Sequence, residues 1–157
     1  MQHLNLFAEP YTDSEVAVLL NELRGAAERR RVMLNPTERY HSMPLEMIDR
    51  LKGMAGHISS ELMKIEAIIE KVETMVGTTS AAVLNFDERV TIARGLLVTL
   101  AMAKKHGQRT YVAKNSIEPA TISIKVAINA YRKLGIDMRK VDPDFAAEAK
   151  LGANNLE

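Results

Sequence analysis

A chain of 157 residues with 46% hydrophobic content is one domain by length and can bury a core of its own. Its 21 basic and 20 acidic residues leave a net charge of +1, which excludes a global pull toward nucleic acid and confines any basic footprint to local clusters. The lack of cysteine excludes disulfides, thiolate metal sites and cysteine nucleophiles and fits a reducing, cytoplasmic setting, while nine Met and no Trp predict an aliphatic core of packed helices.

Residues 1–11 read as an extended N-terminal arm ending at Glu9-Pro10, with no basic leader followed by an apolar run and hence no secretory signal. A single helical domain over 12–152 and a frayed tail over 153–157 follow. The first helix opens on Thr12-Asp13-Ser14-Glu15, a capping box, and places Val16, Leu19, Leu20, Leu23, Ala27 and Leu34 on one face. It ends before Pro36, where Asn35-Pro36-Thr37-Glu38 opens a short helical turn, and Ser42-Met43-Pro44 restarts the chain. From Leu45 to Val76, apolar residues at Ile48, Leu51, Ala55, Ile58, Leu62, Ile65, Ile69, Val72 and Val76 alternate steps of three and four. That is a heptad seam, predicting one long helix on which the other elements pack. At about 1.5 Å per residue it spans about 48 Å, enough to project or to pair between chains. Gly53 and Gly56 inside it predict a kink or a close helix crossing. Gly77 closes it, and Thr78, Thr79 and Ser80 connect onward.

Asn85-Phe86-Asp87-Glu88 caps the next helix, which runs to His106 and is apolar on nearly every side, so it is expected to be the central one. Its apolar stretch, Ile92 to Ala103, contains Arg94 and is too short to span a bilayer. Residues 108–115 read as an irregular connection. Asn115 or Ser116 then caps a helix with Ile117, Ile124, Ala127, Ile128, Tyr131 and Leu134 on one face, ended by Gly135. Asp142-Pro143 opens a short last helix carrying Phe145 and Leu151. The expected fold is therefore all-α: a bundle of about five helices organised on the heptad-patterned helix of about 45–76.

Catalytic constellations are missing from this reading. His57 and Glu61 stand four apart, but no further His stands at ligand spacing, and Glu66, Glu70 and Glu73 alternate with Lys64 and Lys71 as a solvated face. Neither a metal, a cofactor nor an enzymatic activity is expected. Two basic clusters, Arg24 with Arg29, Arg30 and Arg31, and Lys104, Lys105, Arg109 and Lys114, are candidates for nonspecific contact with nucleic-acid phosphates.

Gln2-His3-Leu4-Asn5-Leu6-Phe7 resembles the linear motif by which bacterial replication and repair proteins dock on the DNA sliding clamp, in its longer form Gln-x-Leu-x-Leu-Phe. The resemblance covers these six residues. It implies that Leu6 and Phe7 enter an apolar clamp pocket, that Gln2 hydrogen-bonds beside it and that Leu4 fills a shallower depression. Two functions are thus open. One is a non-enzymatic accessory protein of DNA replication or repair, encoded by a phage or plasmid, that docks through Gln2, Leu4, Leu6 and Phe7 and self-associates through Ile48, Leu51, Ile58, Leu62, Ile65, Ile69 and Val72. The other is a self-assembling structural or adaptor protein, comparable in size and helicity to phage DNA-packaging small subunits, whose arm serves packing. Both predict a homo-oligomer.

Overall fold

The computed structural model describes residues 6–35, 44–115 and 118–148, and the chain is mostly helical. Helix α1, Asp13–Leu34, starts as the capping box requires: Thr12 Oγ1 accepts the Glu15 N–H at 3.3 Å, and Glu15 Oε1 accepts the Thr12 N–H at 2.9 Å. It is followed by α2, Leu45–Gly53, α3, Ala55–Val72, the single turn α4, Ser80–Val83, and α5, Phe86–Lys105. A second capping box opens α5, with Asn85 Oδ1 accepting from Glu88 N at 2.8 Å and Glu88 Oε1 from Asn85 N at 2.9 Å. Gly107, at φ +67°, turns the chain into a hairpin of β1, Thr110–Ala113, and β2, Ala120–Ser123. Helix α6, Ile124–Arg132, and the short α7, Met138–Val141, and α8, Pro143–Glu148, complete the fold.

The hub is α1. It packs along α3, α6 and α5 and also meets β1 and α2, burying Val16, Val18, Leu19, Leu20, Leu23 and Ala27. Facing it are Ile65, Ile68, Ile69 and Val72 of α3, Ile92, Leu96, Leu97 and Leu100 of α5, and Ala127, Ala130 and Leu134 in and beyond α6. Each Val, Leu or Ile side chain among these, removed from water, contributes about 1.5–3 kcal/mol. The helix of residues 86–105, expected to be central, instead packs on one flank of α1, with Val98 and Met102 exposed.

Three further expectations are corrected. The long helix of about 45–76 is two helices, broken at Met54 (φ −96°, ψ 0°), which ends α2 and begins α3. The physical cause lies beside the break, since Gly53 and Gly56 weaken the helix there and Ile48 of α2 must turn inward to be buried. The second half stops at Val72, because Thr74 Oγ1 bonds the Lys71 carbonyl at 2.7 Å and Val76 pairs as a parallel bridge with Tyr11. Finally, 110–123 forms an antiparallel ladder, Thr110 opposite Ser123 and Val112 opposite Thr121, where a connection and a helix start were expected. Pro119 blocks a helix interior, and β-branched Thr110, Val112, Thr121 and Ile122 favour the pleated ribbon. The expected caps and turn at 36–43, Ser116 and Ile117, and Leu151 lie outside the described residues.

Candidate functional site

The N-terminal arm is stitched into the domain. Leu6 and Phe7 lie in a short helical turn and both are half-buried. The Phe7 ring lies under the Arg89 guanidinium, 5.0 Å from its centroid, and against Gly135, where an added Cβ would collide with it. Arg89 is itself fixed by donating to the Leu134 carbonyl at 2.9 Å. The seat of Phe7 is therefore the end of α6 on one side and α5 on the other. Gln2 and Leu4 of the clamp-like motif lie outside the described residues.

Tyr11 anchors the far end of the arm. Its N–H donates to Thr78 O at 2.8 Å, its carbonyl accepts from Gly77 N at 2.9 Å, and its buried hydroxyl donates to Ala130 O at 2.9 Å. Burial, with the Glu15 carboxylate nearby, pushes the phenol far above its ordinary range, so the hydroxyl stays a donor. Beside it Lys133 Nζ donates to Glu15 Oε1 at 2.6 Å and to the Pro10 carbonyl at 2.8 Å, while Ser80 Oγ donates to the Lys133 carbonyl at 2.8 Å. Both Lys133 and Glu15 are buried. The sequence pattern does not announce this network; the available signal is that Lys133 falls three places after Ala130, on the buried stripe of α6.

A second buried hydroxyl docks the hairpin. Tyr111 accepts from Asn21 Nδ2 at 2.6 Å and donates to Glu22 Oε1 at 3.1 Å, and Asn21 Oδ1 accepts the Asn115 N–H at 2.9 Å. Burial raises the Glu22 carboxyl pKa, and burial with that neighbouring carboxylate raises the Tyr111 phenol. Glu22 borders a cleft of about 740 Å³ between α1, α3 and α5, floored by Leu23, Ile65 and Ile92. Glu88, also on its border, is held below the usual carboxylate range: burial pushes it up, but the Lys71 ammonium at 2.7 Å and the Asn85 N–H outweigh that. Both carboxylates are committed to contacts that hold the fold. Among the described residues no three His, Asp or Glu side chains gather as a metal site, and His57 and Glu61 form an exposed pair at 2.9 Å.

The heptad seam divides. Ile65, Ile69 and Val72 pack into the chain's own core, Ile48 and Ile58 are buried, and Leu51 and Leu62 are half-buried. What α2 and the first part of α3 present outward is a different set: Leu45 (78% exposed), Met47 (48%), Met54 (44%) and Met63 (70%). Met33, near the end of α1, is also exposed.

The two basic clusters differ as well. In the first, Arg24 pairs with Glu73 at 3.7 Å, Arg30 with Glu61 at 3.0 Å and Arg31 with Glu28 at 3.5 Å, leaving Arg29 exposed. In the second, Lys105, Arg109 and Lys114 are exposed around the hairpin and enter none of the ion pairs among the described residues, and Lys104 lies exposed beside them.

The chain matches no family model, no curated protein and no solved structure.

Proposed function

We propose that this chain is a non-enzymatic helical adaptor that assembles with copies of itself through α2 and the beginning of α3, its N-terminal arm serving to pack the domain. The observation that carries the reading is the outward set Leu45, Met47, Met54 and Met63, four large apolar side chains on two consecutive helices. Isolated exposed apolar residues are ordinary, but four exposed Met and Leu side chains gathered between residues 45 and 63 suit an adaptable protein–protein contact. Because α2 rests on both α1 and α3 and buries only Ile48 among its described residues, covering its outer side in an assembly would leave the core undisturbed.

The arm's geometry supports the packing role. Docking on a sliding clamp would require Phe7 to leave Gly135 and Arg89, a cost that a peptide on a free arm does not carry. Sedimentation across a wide concentration range tests the assembly. The wild-type mass is expected to rise above the 17.5 kDa of one chain, and a variant with Leu45→Lys, Met47→Lys and Met63→Lys to stay at it. A wild-type mass that stays at one chain throughout overturns the reading. Titration against a bacterial clamp tests the competing one: binding that Leu6→Ala with Phe7→Ala abolishes would place the protein at the replication machinery.

A further inference from the structure

We infer that the β1–β2 hairpin and its flanks form a binding face for the phosphate backbone of a nucleic-acid duplex. From Lys104 to Lys125 the chain carries five Lys or Arg and a single acidic residue, Glu118, although its overall charge is only +1. The fold turns this sequence cluster into a surface cluster. Helix α5 delivers Lys105 to the hairpin's entrance, Arg109 precedes β1, Lys114 follows it, and Lys125 stands in the first turn of α6 just after β2. All four are exposed. No ion pair among the described residues uses any of them, whereas the rival cluster on α1 spends Arg24, Arg30 and Arg31 on Glu73, Glu61 and Glu28.

The ribbon's own chemistry selects the ligand. Its inward residues, Tyr111, Ala113 and Ile122, are buried, while Thr110, Val112, Thr121 and Ser123 are exposed. Two threonine hydroxyls among four cations suit phosphate oxygens, which accept hydrogen bonds and carry charge. The ribbon's one aromatic, Tyr111, is turned into the core with its hydroxyl bound to α1, so no ring is offered for the base stacking on which single-strand binding depends. Among the described residues of the ribbon, Val112 is the one exposed large apolar side chain, too little by itself for insertion among lipid tails. A two-stranded ribbon is also narrow enough for the duplex major groove, about 12 Å wide. The face reads charge and shape, and no base-reading side chain is assigned.

Fluorescence anisotropy on the full chain tests this with a labelled mixed-sequence DNA duplex, the matching RNA duplex, the single strand, and vesicles containing phosphatidylserine. The expected result is duplex binding whose log affinity falls with log salt at a slope of about −3.6 for four phosphate contacts, or roughly a hundredfold between 50 and 200 mM. Arg109→Gln, Lys114→Gln and Lys125→Gln together should cut the slope to about −0.9 while leaving the circular dichroism melting curve in place. Arg30→Gln with Arg31→Gln should leave the slope unchanged. Either duplex meeting these terms supports the inference, and the two arms tell DNA from RNA. Failure of both duplexes to bind at low salt overturns it, as does a slope the triple variant does not change, tighter binding to the single strand, or binding to the vesicles alone.

Discussion

Lys133 and Glu15, 118 positions apart, meet at 2.6 Å with both side chains almost completely buried. The contact joins the start of α1 to the end of α6, and the same ammonium holds the Pro10 carbonyl. A buried ion pair adds little relative to an apolar pair of equal shape, but breaking it strands a charge. Lys133→Met is therefore expected to cost about 3–5 kcal/mol in urea denaturation, and adding Glu15→Gln should return part of that loss. A cost below about 1 kcal/mol would mean that water reaches Glu15.

The Phe7 seat makes a second prediction through coupling. Phe7→Ala should cost about 1–2 kcal/mol, less than a fully buried Phe, because the ring is half-buried. Gly135→Ala should cost more than about 1 kcal/mol, since it places a Cβ in the ring and forces an L-residue to φ +67°. Together they should cost less than their sum, because removing the ring relieves the collision and leaves only the backbone strain. Strict additivity in a double-mutant cycle would show that the ring does not rest on Gly135.

Glu22 makes stability depend on pH with a definite sign. Burial raises its folded-state pKa, so the proton favours folding: the contribution is fully present below the unfolded value of about 4.3 and is lost as pH rises through the folded value. Asp137, Glu88 and Asp142 run the other way. Their folded values are lowered, so their contributions fade as pH falls. Glu22→Gln, which keeps an acceptor for the Tyr111 hydroxyl, should raise the melting temperature at pH 7 and change it little at pH 4. An equal shift at both pH values would contradict this.

Two glycines should respond oppositely to alanine. Gly56, in the first turn of α3, has open space where a Cβ would go, and Gly56→Ala should stabilise by about 0.5–1 kcal/mol. Gly77, at φ +82°, also has open space, yet Gly77→Ala should destabilise by about 1 kcal/mol because the backbone conformation disfavours an L-residue. Chemical denaturation of both variants measures the difference. A stabilised Gly77→Ala would mean that the turn shifts its backbone.

Local features are legible in the sequence and distant ones are not. Both capping boxes lie within four residues, Thr12 with Glu15 and Asn85 with Glu88, and each forms as its residue types predict. The stripe Ile58, Ile65, Ile69 and Val72 is also readable, since a helix buries what recurs at its own period. The hairpin is not, because four-residue strands are too short for a period-two signal, which leaves Pro119 and the β-branched residues as its only marks. The break at Met54 is legible in part, since Gly53 and Gly56 beside it announce a kink though not two separate helices. The contacts that hold the arm, Phe7 on Gly135 and Lys133 on the Pro10 carbonyl, join residues more than a hundred positions apart, and no local pattern announces such pairs.

Tyr11 has a consequence for how the molecule comes into being. Its backbone is held by Gly77 and Thr78, and its hydroxyl by Ala130, 119 positions later. During synthesis α1 and α3 can pair early, but the pocket that receives the arm is unfinished until Lys133 has been made. The residues of the arm, made before α1, are then among the last to find their places, and until they do the nascent chain shows its surroundings an open seam between the beginning of α1 and the place where α6 will lie.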